Sequence, residues 1–228
     1  MRLAAAALAL VLVYSQPSTA QVVTKDSIST PSEIVKLLNT GLLSIMKGGE
    51  ELGFLGRLDT ITPVVEQTFD IQYLSASTIG KTIWKSWTKD QKLTYVSMFE
   101  RFLTANYASQ FKSFSGQNFE ILNTKTGPKS TILVETQISR PNKEPVALTY
   151  LTRVRQGKTG IIDIFLAGTI SEAARRRSEF STIYQEHGFS GLIDMLENQI
   201  IALTKGSADT AAKIFPEVNS TMSPRAEL

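Results

Sequence analysis

Glu135 and Asp163 are the two side chains whose type and predicted placement could support catalysis. Both fall in β-rich runs, at residues 129–140 and 160–166, and paired carboxylates on a sheet can divide the general acid and general base roles. An aspartate in a strand is more often held by backbone donors or exposed to water. A hydrolase that uses Glu135 and Asp163 on lipid or cell wall is therefore an alternative hypothesis, ranked below a binding function.

The histidine and cysteine content limits other kinds of catalysis. The chain has one histidine and no cysteine, which excludes cysteine–histidine nucleophiles and the usual transition-metal clusters. His187 precedes Gly188 at a predicted helix end, where a capping or solvated role is typical. Gly48 and Gly49 are not followed by the Gly-Lys-Ser/Thr of a phosphate-binding loop. We expect no metal, no other cofactor and no enzymatic activity.

Three consecutive arginines, Arg175, Arg176 and Arg177, form a positive run. Consecutive helix positions point about 100° apart, so the three cannot form one flat patch. Glu172 with Arg176 and Arg175 with Glu179 are four residues apart and are expected to pair. The formal net charge is only +3, which permits contact with anionic head groups but does not predict nucleic-acid binding.

The N-terminal segment has the features of an export signal. Arg2 is the only charged residue in positions 1–20, positions 3–14 are apolar, and Ser18 and Ala20 are the small residues that a signal peptidase reads. No later apolar run is long enough to cross a bilayer. We predict a signal peptide over 1–20, a leader over 21–30, a single domain over 31–205 and a flexible tail over 206–228.

The centre of the chain is typical of an antiparallel sheet. Runs at 129–140, 146–155 and 160–166 alternate apolar and polar residues and are bounded by Gly, Pro and Asn. A further strand is predicted at 119–122. One face is mostly apolar, as expected where helices cover it. The fold class predicted is α+β, a curved and mainly antiparallel sheet of about four strands covered by several helices.

Apolar residues recur at helical spacing in the chain both before and after this sheet. Thr88 and Gln91 form a capping box at the start of the clearest helix. Pro63 is expected to restart a helix after a break. The predicted helices are 32–47, ended by Gly48-Gly49, then 50–60, 63–69, 70–80, 88–111, 172–186, ended by Gly188, and 190–205.

Aromatic side chains on the predicted inner faces either complete a solid core or line a cavity. Periodicity cannot distinguish these, because a curved sheet roofed by long helices can enclose an apolar space. A non-catalytic envelope adaptor with a filled core therefore stands beside a lipid-binding protein.

Residues spread over most of the chain resemble a known family. In chain order they are Gly53-Phe54, Arg57, Pro63, Phe69-Asp70, Gly80, Trp84, Thr88, Gln91, Phe99, Phe102, Tyr107, Ile162-Asp163, Gly168-Thr-Ile-Ser171, Arg177-Ser-Glu-Phe180, Gly188 and Leu192. Their order and spacing over residues 32–203 resemble the MlaC, or toluene-tolerance, family of periplasmic lipid carriers. The runs at 168–172 and 176–180 are most similar to its hopanoid-associated HpnM branch.

This resemblance implies a shuttle that carries a phospholipid or hopanoid-type lipid through the periplasm. It implies an inner-membrane transporter complex and an outer-membrane acceptor as partners. We expect a monomer that binds no nucleic acid. Family members usually have an aromatic residue before the Asp of the third strand, where this chain has Ile161-Ile162. Because the chain departs from the family pattern at this position, the resemblance does not fix the shape of the pocket.

The candidate site residues are of two kinds. Apolar and aromatic side chains on the predicted inner faces are expected to contact lipid: Phe54, Leu58, Val65, Phe69, Val96, Phe99, Leu103, Tyr107, Val134, Leu148, Tyr150, Phe165, Phe180 and Tyr184. Arginines near the expected mouth are candidates for head-group or partner docking: Arg153, Arg155, Arg175 and Arg176.

Overall fold

The computed structural model describes residues 29–204. The predicted signal peptide at 1–20, most of the leader at 21–30 and the tail at 206–228 lie outside these residues. Within the described part of the chain, no helix combines the length and hydrophobicity that a bilayer crossing requires.

A five-stranded antiparallel meander forms the sheet, with the strands in chain order. The strands are β1 (Asn118–Thr126), β2 (Ile132–Arg140), β3 (Lys143–Arg155), β4 (Lys158–Leu166) and β5 (Ile170–Ser171). A short 3₁₀ turn, Pro128–Ser130, joins the first two strands. The α+β class and antiparallel sheet are confirmed; the two-residue β5 is one strand more than predicted.

The register places the predicted apolar face on one side of the sheet. Val134 pairs with Tyr150, and Tyr150 pairs with Ile164 on the next strand. Val134 and Tyr150 are buried. The next inner row, two residues away, contains Leu148 paired with Leu166. Because side chains alternate along a strand, these two rows face the helices together.

Residues 29–204 form five α-helices. They are α1 (Pro31–Thr68), α2 (Ile71–Ile79), α3 (Lys81–Ser86), α4 (Lys89–Gln110) and α5 (Glu172–Leu203). Of these, α1, α2 and α5 pack against the sheet. Helix α4 packs between α1 and α5, and α1 also contacts β4. The capping box predicted for α4 is present: Gln91 N donates to Thr88 Oγ1 at 3.1 Å, and Thr88 N donates to Gln91 Oε1 at 3.0 Å.

Two of the predicted breaks in the long helices, at Gly48-Gly49 and at Gly188, are present, and the one before Pro63 is not. Pro63 lies inside α1, so the prediction that it restarts a helix is wrong. Proline removes one backbone donor but does not end a helix whose packing fixes both sides of it. The interruptions in α1 occur at Gly49 and Gly53, both with positive φ. Gly188, with φ 70°, interrupts α5 where a stop was predicted.

The end of α1 is joined to the sheet by a close backbone approach. Asp70 N donates to Ile161 O at 3.0 Å, and Phe69 forms a parallel bridge with Ile161. A Cβ atom on Gly160 would lie 2.9 Å from Asp70 N. Glycine at position 160 therefore permits the contact that fixes Phe69 between helix and sheet.

Candidate functional site

A cavity of about 540 Å³ lies between α4, the start of α5 and the inner face of the sheet. This volume falls within the range of about 300–1,000 Å³ that is typical of ligand pockets. Apolar side chains form most of the wall: Leu42, Phe69, Leu74, Phe99, Phe102, Leu103, Tyr107, Phe111, Ile138, Leu148, Tyr150, Ile164, Leu166, Ile170 and Ala173. The polar side chains of the lining are Thr78, Asn106, Gln110, Asp163, Glu172, Arg175 and Arg176.

Helix α4 supplies one wall through a row of side chains four residues apart. Phe99, Leu103, Tyr107 and Phe111 all line the cavity, and residues at i and i+4 share a helix face. The Tyr107 and Phe111 rings lie 5.8 Å apart between centroids, which holds this part of the wall together. Phe69 contacts the same wall, with its ring centroid 6.0 Å from that of Tyr107.

The opposite wall is the inner face of β3 and β4. Leu148 and Tyr150 lie two residues apart on β3, and their partners Leu166 and Ile164 continue the two rows on β4. The period of two thus aligns four apolar side chains across a strand pair. This wall faces the aromatic row of α4.

The cavity opens beside the β4–β5 hairpin and the first turns of α5. Leu166 and Ile170 line it while being 37% and 54% exposed. Ala167 and Gly168, with φ of 48° and 74°, turn the chain between these strands. Arg175 is also an exposed lining residue. The mouth therefore combines an apolar edge with a charged one.

The charges at this mouth are paired within α5. Arg175 Nη2 lies 2.8 Å from Glu172 Oε2, and Arg175 Nη1 lies 3.9 Å from Glu179 Oε2. Arg176 Nη1 lies 3.5 Å from Glu179 Oε2, so the predicted Glu172–Arg176 pair is wrong. At three residues' spacing Glu172 bonds Arg175 instead.

Arg176 is held more deeply than its neighbours. Its guanidinium lies 4.7 Å from the Phe102 ring centroid and 5.9 Å from that of Phe180. Burial lowers its pKa, and adjacent Arg175 lowers it further. Arg177 is directed elsewhere, since its Nε donates to Ser77 O at 2.8 Å. Arg175 and Arg176 are thus the members of the run that reach the cavity.

Arg153 and Arg155 lie at a different place, near the end of α1. Arg153 Nη2 is 3.4 Å from Asp70 Oδ2, and its guanidinium stacks 3.9 Å from the Tyr73 ring centroid. Arg155 Nη1 is 3.9 Å from Asp70 Oδ1. Arg155 lines a second, more polar cavity of about 510 Å³ together with Glu66, Asp70 and other residues. Phe69 lines both cavities.

The sequence-predicted site residues divide between the cavity and the surrounding core. Those that line the cavity are Phe69, Phe99, Leu103, Tyr107, Leu148, Tyr150, Arg175 and Arg176. Those outside its lining are Phe54, Leu58, Val65, Val96, Val134, Phe165, Phe180 and Tyr184, of which Val65, Val134 and Phe180 are fully buried. Most of them pack in the core around the cavity. Phe165 is different, because it alternates with Ile164 and Leu166 on β4 and pairs with Thr149. It therefore lies on the outer face of the sheet, and its prediction as an inner-face residue is wrong.

Several lining residues were not among the sequence candidates. Phe102 and Phe111 belong to the aromatic stripe of α4, and Ile164 belongs to the alternation of β4, so a signal for them exists. Leu166 is the next residue of that alternation on β4, so the same signal applies to it. Ile170 carries no such signal, because it follows the turn at Ala167 and Gly168. The other additional residues are Leu42, Leu74, Thr78, Asn106, Gln110, Ile138, Asp163, Glu172 and Ala173.

Asp163 has a structural set of hydrogen bonds. Its Oδ2 accepts from Ser171 Oγ at 2.6 Å, and its Oδ1 accepts from Ala173 N at 3.0 Å and from Ile164 N at 2.8 Å. It therefore ties β4 to the start of α5.

Glu135 lies two strands away from Asp163. It pairs with Thr149 in the sheet, whereas Asp163 pairs with Leu151 on the other side of the same strand. Glu135 bonds Lys125 and Asn123, and these bonds lower its pKa. The carboxylate pair expected by the hydrolase hypothesis is not formed. Over residues 29–204, no group of three or more His, Cys, Asp or Glu side chains is arranged to hold a metal ion.

Comparisons with known proteins agree with this architecture. A solved structure of a phospholipid-binding protein from Ralstonia solanacearum, in complex with a phospholipid, superimposes with a TM-score of 0.62 at 21% identity. The match covers 75% of this chain and 96% of that one. Comparison with curated proteins gave no significant match. Residues 38–198, most of the described chain, match the family of the MlaC protein. The chain belongs to the MlaC family.

Proposed function

We propose that this protein is a periplasmic lipid carrier that encloses the acyl chains of a phospholipid and moves it between membrane complexes. The observation that supports it most strongly is the cavity of about 540 Å³, with a wall that is mostly aromatic and aliphatic. An adaptor with a solid core would have no use for such an opening. The phospholipid held by the Ralstonia solanacearum structure, which shares the fold, supports the same ligand class.

The arrangement of charge fits a lipid that enters tail first. Arg175 and Arg176 stand at the mouth, while Leu42, Leu74 and Phe99 belong to the apolar lining. A phosphate at the mouth could compete with Glu172 and Glu179 for the guanidinium groups, which bind phosphate oxygens well. The tails would then lie between α4 and the sheet. A hopanoid-type lipid, as the HpnM resemblance predicts, would use the same apolar walls without needing a phosphate.

The energetics indicate assisted transfer. Burying an acyl chain of about sixteen carbons at roughly 0.8 kcal/mol per CH₂ favours binding by on the order of 12 kcal/mol before ordering costs. Spontaneous release into water would therefore be slow. We propose an inner-membrane transporter complex and an outer-membrane acceptor that take the lipid directly, with the protein acting as a monomer.

A cavity-filling substitution tests the lipid site. Leu103→Trp should place an indole in the cavity and reduce phospholipid binding at least tenfold, because the added ring occupies space that the tails need. Leu93→Trp is the matched control on the same helix, since Leu93 is 60% exposed and outside the lining. Equal binding by both variants would contradict the proposed site.

Extraction of the protein from its own periplasm identifies the ligand class. Organic extraction and mass spectrometry should recover about one phospholipid per protein molecule, and less from Leu103→Trp. A pentacyclic triterpenoid in its place would support the HpnM resemblance. Recovery of no lipid from correctly folded protein would favour the adaptor, and recovery of lysolipid with free fatty acid would favour a hydrolase.

A further inference from the structure

Two tyrosine hydroxyls in the cavity have no hydrogen-bond partner among the described residues. Tyr107 on α4 and Tyr150 on β3 line opposite walls. Tyr150 is 2% exposed, and neither hydroxyl is bonded to any residue in positions 29–204. Neither is among the side-chain polar atoms that protein completely encloses without a partner. Both hydroxyls therefore keep access to the cavity.

A third buried tyrosine shows the usual arrangement. Tyr95 is fully buried, and its hydroxyl lies 2.8 Å from Thr78 Oγ1. Buried hydroxyls are normally paired in this way because the loss of hydration is otherwise uncompensated. The unpaired hydroxyls of Tyr107 and Tyr150 thus require a partner from outside the protein.

Both hydroxyls are hydrogen-bond donors at neutral pH. Burial raises the pKa of Tyr150 and the pKa of Tyr107. The nearby Tyr150 and Glu172 raise the pKa of Tyr107 further. A protonated phenol donates one hydrogen bond, and a neutral oxygen acceptor such as a carbonyl satisfies it without placing a charge in the cavity.

Glu172 and Arg175 belong to the lining of the same cavity as the two tyrosines. Glu172 begins α5 and bonds Arg175 at 2.8 Å. In a glycerophospholipid, the ester carbonyls lie between the phosphate and the tails. One cavity therefore contains a cation for the phosphate, hydroxyl donors for the carbonyls and an apolar wall for the tails.

We propose that Tyr107 and Tyr150 donate hydrogen bonds to the acyl ester carbonyls of the bound lipid, so that the site selects diacyl ester lipids. This inference rests on the proposed lipid-carrier function and adds the chemical class of the ligand. An ether-linked lipid has equal tails but lacks the carbonyl acceptor. A triterpenoid hydrocarbon skeleton lacks it as well. Selection arises because a triterpenoid skeleton offers these donors no acceptor, and an ether oxygen is a weaker acceptor that does not occupy the position of the carbonyl oxygen.

The test compares dipalmitoyl phosphatidylglycerol with its di-O-hexadecyl ether analogue. Each hydrogen bond is expected to favour the ester by about two- to tenfold. Wild-type protein should therefore bind the ester roughly 4- to 100-fold more tightly than the ether. The double variant Tyr107→Phe/Tyr150→Phe should bind the two equally within about twofold, and each single variant should show an intermediate ratio.

Tyr73→Phe is the matched control, because Tyr73 lies outside this cavity; it should keep the wild-type ratio. A second measurement uses lipid labelled with ¹³C at the ester carbonyls. Its infrared stretching band should shift to lower frequency on binding wild-type protein, and the shift should be lost with the double variant. The spectrum is recorded on double-variant protein that still holds lipid, so that a lost shift reports the missing hydrogen bonds and not a loss of binding.

The possible failures are distinguishable. Equal affinity of wild-type protein for the ester and the ether would overturn the selection by the tyrosines while leaving a lipid carrier in place. A double variant that retains the wild-type ratio would do the same. Absence of binding of either lipid to wild-type protein would overturn the lipid-carrier function as well.

Discussion

Replacing Arg57 with methionine should destabilise the fold and disturb the cavity wall. Arg57 is 7% exposed. Its Nε donates to Ala108 O at 2.8 Å, and its Nη1 donates to Gly49 O at 2.7 Å. One side chain therefore joins the break in α1 to the C-terminal half of α4. Ala108 follows Tyr107 in sequence, so the same contact positions the aromatic row of the cavity.

The expected loss follows from these two hydrogen bonds. A hydrogen bond from a charged group contributes about 1.5–3 kcal/mol. Methionine keeps much of the apolar stem but leaves the Ala108 carbonyl without a donor, while removal of the buried charge recovers part of the cost. We expect Arg57→Met to lower the free energy of unfolding by about 3 kcal/mol. For a chain of this size that corresponds to roughly 6–12 °C in Tm.

Urea unfolding followed by circular dichroism, together with thermal melts, measures this change. Arg140→Met is the control, because Arg140 is an exposed arginine at the end of β2 and should change the free energy of unfolding by less than about 0.5 kcal/mol. Arg57→Lys should have an intermediate effect, since an ammonium reaches one acceptor more readily than two. An Arg57→Met loss no larger than that of Arg140→Met would refute the role given to these bonds.

Three further substitutions test other parts of the frame. Burial and the neighbouring Glu66 raise the pKa of Glu100 in the folded protein. The contribution of Glu100 to the free energy of unfolding is therefore complete below the pKa that this carboxyl has in the unfolded chain. It is lost as the pH rises through the pKa of the folded state. Glu100→Gln should therefore raise the free energy of unfolding at pH 7, by at most about 0.5 kcal/mol after allowance for solvent screening. Below about pH 4 it should bring no gain. Urea midpoints at the two pH values measure the difference. Asp163→Asn should cost about 1–2 kcal/mol in urea unfolding, because a neutral amide replaces the carboxylate that accepts from the start of α5. Gly160→Ala should cost about 1–3 kcal/mol in thermal melts, because the added Cβ would lie 2.9 Å from Asp70 N.

Each of these expectations has an opposing result. A Glu100→Gln gain that is equal at both pH values would show that the charge is not its source, and exposed Glu144→Gln is the control at each pH. An unchanged urea midpoint for Asp163→Asn would mean that the carboxylate does not hold β4 to α5. A Gly160→Ala variant as stable as wild type would show that the approach of Asp70 is loose.

The secondary structure was largely predictable because its signals are local. The three central strands follow from β-branched residues at period two, and the start of α4 follows from Thr88 and Gln91, three residues apart. The prediction for Pro63 is wrong because it follows a local rule, which treats proline as a helix break. Contacts of α1 with α4 and β4 are distant in sequence, and they keep the helix continuous through that residue.

The candidate site was only partly predictable for the same reason. Phe99, Leu103 and Tyr107 were identified because a stripe at helical spacing must face the interior. The stripe does not indicate which interior positions meet protein and which meet open space. The sequence predicts a head-group or partner-docking role for Arg153. It gives no indication that Arg153 pairs with Asp70, which lies 83 residues earlier in the chain.

The strong contacts around the cavity explain why the space can remain open. Arg57 joins α1 to α4, Asp163 joins β4 to α5, and the approach of Gly160 to Asp70 joins the end of α1 to β4. Each contact joins two elements of the frame, and Asp163 is the one residue among them that also lines the cavity. Elements that are joined in this way keep their separation, so the side chains on the two sides of the cavity do not close the space between them. Ligand contact is then left to side chains such as Tyr107, whose hydroxyl has no role in holding the walls together.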